Sequence, residues 1–206
     1  MAMELTITTF VTLDGVMQAP GEPEEDPSGG FRHGGWSYPL GDEAFGEFMT
    51  GVFQQVDAFL LGRRTYEIFS GYWPKVDDPD VIASKLNTLP KHVASTTLRE
   101  LSWQGARLLE GDTVDAVRSL KAQPGRELQV HGSGDLAQTL MRHALIDLYR
   151  ILVFPVVLGS GKRLFGDGTV PASLRLESTS TTPAGVTLNT YRPAGPLRTG
   201  SYLTPG

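Results

Sequence analysis

The chain has 206 residues, 40% of them hydrophobic, enough for one domain with a sizeable core. Its formal net charge of -5 at pH 7 argues against the broad basic face that nucleic acid requires. It contains no cysteine, which excludes disulfides, thiolate zinc sites and a cysteine nucleophile.

The first residues, MAMELTITTF, carry no basic segment followed by a long apolar run, so no signal peptide is expected. No stretch approaches the ~20 apolar residues of a membrane span, and a cytoplasmic protein is the natural expectation. ELTITTFVTLDG alternates as a β-strand and ends at Asp14-Gly15. A long segment rich in glycine, proline and acid follows, APGEPEEDPSGGFRHGGWSYPLG. Loops of this length inside a domain are usually functional or disordered. The aromatics Phe31, Trp36 and Tyr38 favour function, with glycines 29, 30, 34 and 35 as hinges.

Phe45, Phe48, Met49, Val52 and Phe53 recur at helical spacing, and Asp42 and Glu43 suit the helix N-terminus. DAFLLG predicts a short buried strand and RRTYEIFSGYW a short helix. KHVAS predicts another strand, and TVDAVRSLKAQ an amphipathic helix opened by Asp112 or Thr113. ELQVHGSG is a strand running into a glycine-rich turn, and DLAQTLMRHALI is the next helix. LYRILVFPVVLGSG is an apolar strand broken at Pro155. SLRLESTST and GVTLNTYRP close the chain as an antiparallel hairpin around the turn TTPAG. This alternation predicts an α/β fold, its sheet parallel in the middle and mixed at the C-terminal edge. One domain is expected over residues 1–193, with 194–206 as a tail or an oligomer contact.

Two strand-to-helix turns invite an anion. In VHGSGDLA the glycines admit close backbone approach and a helix N-terminus follows. Read alone, this is either a phosphate cradle or a plain tight turn. A Rossmann site also needs an acid after the next strand, and none stands near Phe154-Pro155. In LLGRRTYE, Arg63 and Arg64 occupy a helix N-terminus, where the macrodipole disfavours cations. Either the pair is solvated beside Glu67 or Asp57, or an anion resolves the conflict. Two such turns on one parallel sheet suit a pyrophosphate plus an extra phosphate, which is the electrostatic description of NADPH. VLGSGKRLF is not a Walker A sequence, because Arg163 follows Lys162. No G-x-S-x-G elbow or H-E-x-x-H motif occurs, and no metal site is indicated.

The pieces TLDGVM, LLGRRTYE, VASTTL, VHGSGDLAQTL and HALIDLYRILVFPVVLGSGKRLF, with the C-terminal hairpin, cover residues 4–193 in order. In these the chain resembles the dihydrofolate reductase-like family that includes the reductase domain of the bifunctional riboflavin-biosynthesis deaminase-reductase. The resemblance implies a three-layer α/β/α fold with a mostly parallel eight-stranded mixed sheet, NADPH as hydride donor, and often a homodimer. It implies cofactor contacts at Asp14, Gly15 and Val16 beside the nicotinamide, and at Gly62, Arg63, Arg64 and Thr65 on the adenosine-side phosphates. Ser95, Thr96 and Thr97 would line the adenine side, and Gly132, Ser133, Gly134, Asp135 and Leu136 the pyrophosphate.

Folate-reducing relatives carry a proton-donating acid on the helix after the first long loop, which makes Asp42 and Glu47 the candidates here. Trp36, Phe45, Lys162 and Arg163 are the substrate-side candidates. Two features depart from the family pattern: Leu148 after Asp147, and the acidic loop at 20–30. The expected function is NADPH-dependent reduction of a small heterocycle, nearest to 5-amino-6-(5-phosphoribosylamino)uracil reduction. The alternatives are a folate or pteridine reductase and a non-catalytic NADPH-binding protein. No nucleic-acid or membrane partner is expected.

Overall fold

The computed structural model describes residues 1–76 and 80–202. Among these residues, eight strands form one sheet: β1 (Glu4–Thr12), β2 (Val56–Gly62), β3 (Lys91–Ala94), β4 (Ala106–Leu108), β5 (Glu127–His131), β6 (Leu148–Phe154), β7 (Ala172–Thr181) and β8 (Thr187–Pro196). Five α-helices accompany them: α1 (Glu43–Gln54), α2 (Arg63–Tyr72), α3 (Val81–Thr88), α4 (Thr113–Lys121) and α5 (Gly134–Arg142). The strand order is β4-β3-β2-β5-β1-β6-β8-β7. Pairing is parallel from β4 to β6 and antiparallel for β6–β8 and β8–β7.

The middle strands are apolar on both faces because helices cover both. Phe59, Leu60 and Leu61 of β2 are fully buried, as a parallel strand between two helical layers requires. Leu5, Ile7, Leu128 and Val130 pack with Val117 and Leu120 of α4 and Ala137 and Leu140 of α5. Phe59, Leu61 and Leu152 face Met49, Val52 and Phe53 of α1, Leu86 of α3 and Tyr66 of α2. Two separate cores therefore sandwich the sheet, giving the expected three layers.

Two elements are absent from the sequence expectation, α3 and β4. Asp80 caps α3 by accepting from the Ala83 N–H at 2.8 Å. The three residues of β4 pair with β3 at the sheet edge. Below α3, Lys91 is completely buried, and its Nζ donates to Leu86 O at 2.6 Å and Leu89 O at 2.8 Å. The ammonium thereby satisfies carbonyls at the end of α3 and rests 4.5 Å from the centre of the Trp103 ring. At the other edge, β8 runs to Pro196, which pairs with Ala172. Of the segment 194–206 read as a tail, residues 203–206 lie outside the described residues. Among the described residues, no helix is long and apolar enough to cross a membrane.

Candidate functional site

Parallel strands all deliver their C-terminal ends to one edge, where ligands bind in open α/β sheets. A cavity of about 460 Å³ opens there, bordered by β1, the turn after β5, and the starts of α2 and α5. Phe45, Met49 and Phe53 of α1 and Ile68 and Phe69 of α2 supply its apolar wall.

The helix caps divide into two groups. Asp42, Asp80 and Asp112 cap α1, α3 and α4 through their side chains. At α2 and α5 the cap residues are Gly62 and Ser133, and neither makes a side-chain cap hydrogen bond. The first-turn N–H groups of a helix have no intrahelical acceptor, and there the macrodipole favours an anion. Both helices lacking side-chain caps open onto the cavity through their first turns.

They are also joined to each other. The Ser133 N–H donates to Thr65 Oγ1 at 3.0 Å, and the Gly62 N–H donates to Ser133 Oγ at 3.0 Å. Ser133 Oγ in turn donates to His131 O at 2.9 Å, which occupies the hydroxyl and prevents capping. This tight crossing requires left-handed backbone at Gly132 (φ 54) and Ser133 (φ 56). A Cβ at Gly132 would stand 3.2 Å from Thr65 Oγ1, so glycine fits both the dihedral and the space.

The cavity floor is polar. Thr8 and Thr9 of β1 border it, each 2% exposed, and neither hydroxyl has a hydrogen-bond partner among the described residues. His131, paired with Thr8 in the sheet register, also lines it. Gln129 Nε2 donates to Val52 O at 2.7 Å and to Glu127 Oε2 at 2.8 Å, so its Oε1 must accept. His131 Nε2 lies 3.0 Å from that Oε1 and is therefore the donor, leaving Nδ1 as acceptor in the neutral ring. Burial, and then the Arg150 charge, push this imidazole down to about 3, so it is neutral at ordinary pH. Glu127 continues the network into a buried ion pair with Arg150 at 2.6 Å.

The acidic loop crosses the mouth and is anchored within the fold. The Trp36 indole donates to Gln18 O at 2.8 Å, and Gln18 Nε2 donates to Asp26 O and Ser28 O, each at 2.9 Å. Gln18 Oε1 accepts the Lys162 N–H at 2.9 Å, joining this loop to the one after β6. Asp26 is 7% exposed, and its carboxylate meets Arg64 at 2.9 Å and Lys162 at 2.7 Å. Burial opposes the charge of Asp26, but the hydrogen bonds from Lys162 and Ser28 outweigh it and hold the carboxyl below its usual range. Its neighbour Glu25 is shifted the other way: burial raises it against the pull of the Gly21 and Glu22 N–H groups.

Comparison with known proteins agrees with this architecture. A family model, the RibD C-terminal domain, matches residues 3–188. The chain belongs to the RibD C-terminal domain family. The uncharacterized Bacillus subtilis protein YyaP is 30% identical over 185 residues, spanning 88% of this chain and 90% of that protein. The crystal structure of a putative riboflavin biosynthesis protein from Shewanella sp. PV-4 is 25% identical with a TM-score of 0.66, covering 94% of this chain and 99% of that one. Dihydrofolate reductase from Enterococcus faecalis, complexed with NADP(H) and RAB-propyl, shares the fold at 13% identity and a TM-score of 0.56, over 93% and 96% of the two chains.

In this member of the RibD C-terminal domain family, the cavity gathers Phe45, Arg64, Thr65, Gly132, Ser133, Gly134, Asp135, Lys162 and Arg163 from the expected residues. The others lie outside its wall. Val16 is completely buried, and Leu136 packs into the core on the α4–α5 side. Asp14 braces the loop after β6, accepting from the Leu158 N–H at 3.2 Å and the Gly159 N–H at 2.8 Å. Thr12, which donates to it, is the main reason the Asp14 carboxyl is held down to about 2. The Arg163 guanidinium reaches Asp14 O, and Gly15 O accepts the Leu164 N–H, so this turn shapes the rim. Arg63 turns to Glu67 at 3.6 Å, leaving Arg64 as the member of the pair at the cavity. Ser95, Thr96 and Thr97 follow β3, whose Ala94 pairs with Gly62, and continue the same sheet edge beyond the cavity. Trp36 is buried against Phe154 and anchors the loop.

Neither expected proton donor lines the cavity. Asp42 is committed to the Phe45 N–H at 2.9 Å and the Ala184 N–H at 2.8 Å. Glu47 is exposed on α1, because Met49, Val52 and Phe53 turn the opposite face of that helix inward. The acids that do line the cavity are Glu25, Asp26 and Asp135.

Proposed function

We propose that this protein is an NADPH-dependent reductase of a small nitrogen heterocycle, nearest in kind to 5-amino-6-(5-phosphoribosylamino)uracil reductase. The observation that carries the reading is the pair of helix N-termini without side-chain caps, tied together by Thr65 and Ser133 and joined at the cavity by Arg64. That arrangement offers two adjacent anion places, as a dinucleotide with an extra phosphate requires. The unpartnered Thr8 hydroxyl, on the same sheet face as His131, supplies a further polar group for a ligand.

NADPH supplies a hydride when bound. The chain's own part is to bind, orient and exclude water. The backbone N–H groups of Gly134 and Asp135 would hold phosphate oxygens at the start of α5, and the Arg64 guanidinium and the Thr65 N–H would hold them at α2. Phe45, Met49, Phe53 and Phe69 form the dry wall against which a flat ring packs. Thr8 and the acceptor nitrogen of His131 offer a donor and an acceptor side by side, suited to the N–H and C=O edge of a pyrimidine or pteridine.

The test is a fluorescence titration with NADPH and NADH, followed by NADPH-oxidation assays with the ribosylaminopyrimidine, dihydrofolate and oxidised pteridines. Preference for NADPH and turnover of the pyrimidine are expected. Turnover of dihydrofolate or a pteridine alone would move the substrate to that class. Tight NADPH binding without any turnover would make the protein a cofactor-binding protein, and equal affinity for both nucleotides would remove Arg64 from the phosphate.

A further inference from the structure

The acidic loop brings its own anion to the cationic side of the cavity. Asp26 Oδ1 accepts from Arg64 at 2.9 Å, from Ser28 Oγ at 2.6 Å and from the Ser28 N–H at 3.2 Å. Asp26 Oδ2 accepts from Lys162 at 2.7 Å. The carboxylate is shielded, while the side chains of its two cations remain 49% and 58% exposed. Arg64 lies in the first turn of α2 and Lys162 sits in the loop after β6, so one carboxylate bridges the two sides of the mouth.

We infer that Asp26 is a built-in competitor for a ligand phosphate: its carboxylate holds the Arg64–Lys162 clamp until a phosphate group takes its place. A phosphate monoester carries more charge than a carboxylate and has three acceptor oxygens, so it satisfies both cations better. Once both cations turn to the ligand, Asp26 would be a shielded charge without a counterion, which is costly. The carboxylate must then move to water and carry the loop tip with it. The tip therefore opens when phosphate binds, whereas a simple lid closes over its ligand. Gln18, Phe31 and Trp36 are buried, and Ala19 O and Pro20 O accept from the Gly35 and Ser37 N–H groups, so the movement is confined to residues 21–30 and breaks the bonds from Gln18 Nε2 to Asp26 O and Ser28 O. Asp26 thus sets which ligands enter, because only one bearing a phosphate at the clamp can displace it.

The inference deepens the reductase reading at the same cavity, and its test separates the two by using inorganic pyrophosphate as the probe. Amide exchange of residues 21–30 is followed in the whole protein with and without pyrophosphate, and pyrophosphate affinity is measured by calorimetry. In the unmodified protein, exchange should accelerate on addition. In Asp26→Asn it should be fast already, and affinity should rise roughly ten-fold. Lys162→Met should abolish the response and tests the clamp with the Asp26 carboxylate still present.

Separate titrations with NADPH, NADH and ribose 5-phosphate identify the source of the phosphate. A gain in Asp26→Asn for NADPH and not NADH assigns it to the cofactor, and a gain for ribose 5-phosphate assigns it to the substrate. Unchanged exchange with pyrophosphate, or unchanged affinity in Asp26→Asn, overturns the inference and leaves the ion pairs as loop anchors. If pyrophosphate behaves as expected while NADPH does not bind, the inference stands and the reductase reading falls.

Discussion

Thr65 Oγ1 accepts the backbone N–H of Ser133 at 3.0 Å, across 68 positions of sequence. One hydroxyl thus fixes the spacing between the two helix starts that face the cavity. Thr65→Val keeps the shape but leaves a buried N–H without an acceptor, which costs about 1–3 kcal/mol. At this chain length the melting temperature should fall by about 2–4 °C per kcal/mol. NADPH affinity should fall with it, because the phosphate-facing groups lose their fixed separation. Thermal melts and cofactor titration check both, and an unchanged melting temperature would show that the bond contributes nothing.

Arg64 and Arg63 are adjacent but point to different partners, Asp26 and Glu67. Arg64→Ala should weaken NADPH about ten- to hundred-fold, the range for one lost charge-assisted phosphate contact, and should change NADH less than about two-fold. Arg63→Ala should leave both nearly unchanged. Parallel loss of NADPH and NADH in Arg64→Ala, with a reduced melting temperature, would instead mark a folding role.

The helices that the sequence discloses best are those with a periodic apolar face behind an aspartate, as in α1 and α4. The two turns proposed to hold an anion are legible for another reason: Gly62 followed by two arginines opens α2, and Ser133 stands between Gly132 and Gly134 at the start of α5. The helix α3 is short and weakly amphipathic, and β4 has three half-exposed or exposed residues, so neither announces itself. Glu47 misleads because its aromatic neighbours in sequence lie on other faces of the helix. Asp26 could not be singled out from its acidic surroundings. Its partners, Arg64 and Lys162, stand 38 and 136 residues away, and only the folded loop brings them together.

The pH dependence of stability should carry the mark of His131. Burial lowers its pKa from 6.5 to about 3, with the Arg150 charge adding to the shift. The folded value lies below the unfolded one, so the unfolded chain takes up the proton first as pH falls. The stabilisation is fully present above pH 6.5 and is lost progressively towards pH 3. Between pH 6.5 and about 5 most carboxylates stay ionised, so the histidines dominate the slope, at no more than ~1.4 kcal/mol per pH unit each. His92 is shifted the same way, by burial and then by Arg107, and adds to it. Urea unfolding across this window should show a shallower slope in His131→Asn than in the unmodified protein. An identical slope would place the titration elsewhere.

Thr8 provides the sharpest opposition between stability and function. Its hydroxyl is buried at the cavity floor without a hydrogen-bond partner, a condition that costs folding free energy in the absence of ligand. Thr8→Val replaces the hydroxyl by a methyl of similar size and removes that cost. The free protein should gain stability, by about 1 kcal/mol. If the hydroxyl serves a bound ring, the same change should lower turnover of the heterocycle while cofactor affinity stays near its original value. Denaturant unfolding and steady-state kinetics read the two effects independently. Greater stability with undiminished turnover would show that the hydroxyl has no ligand to serve. Lower stability would show that the hydroxyl is satisfied in solution, which argues for an ordered water on the cavity floor.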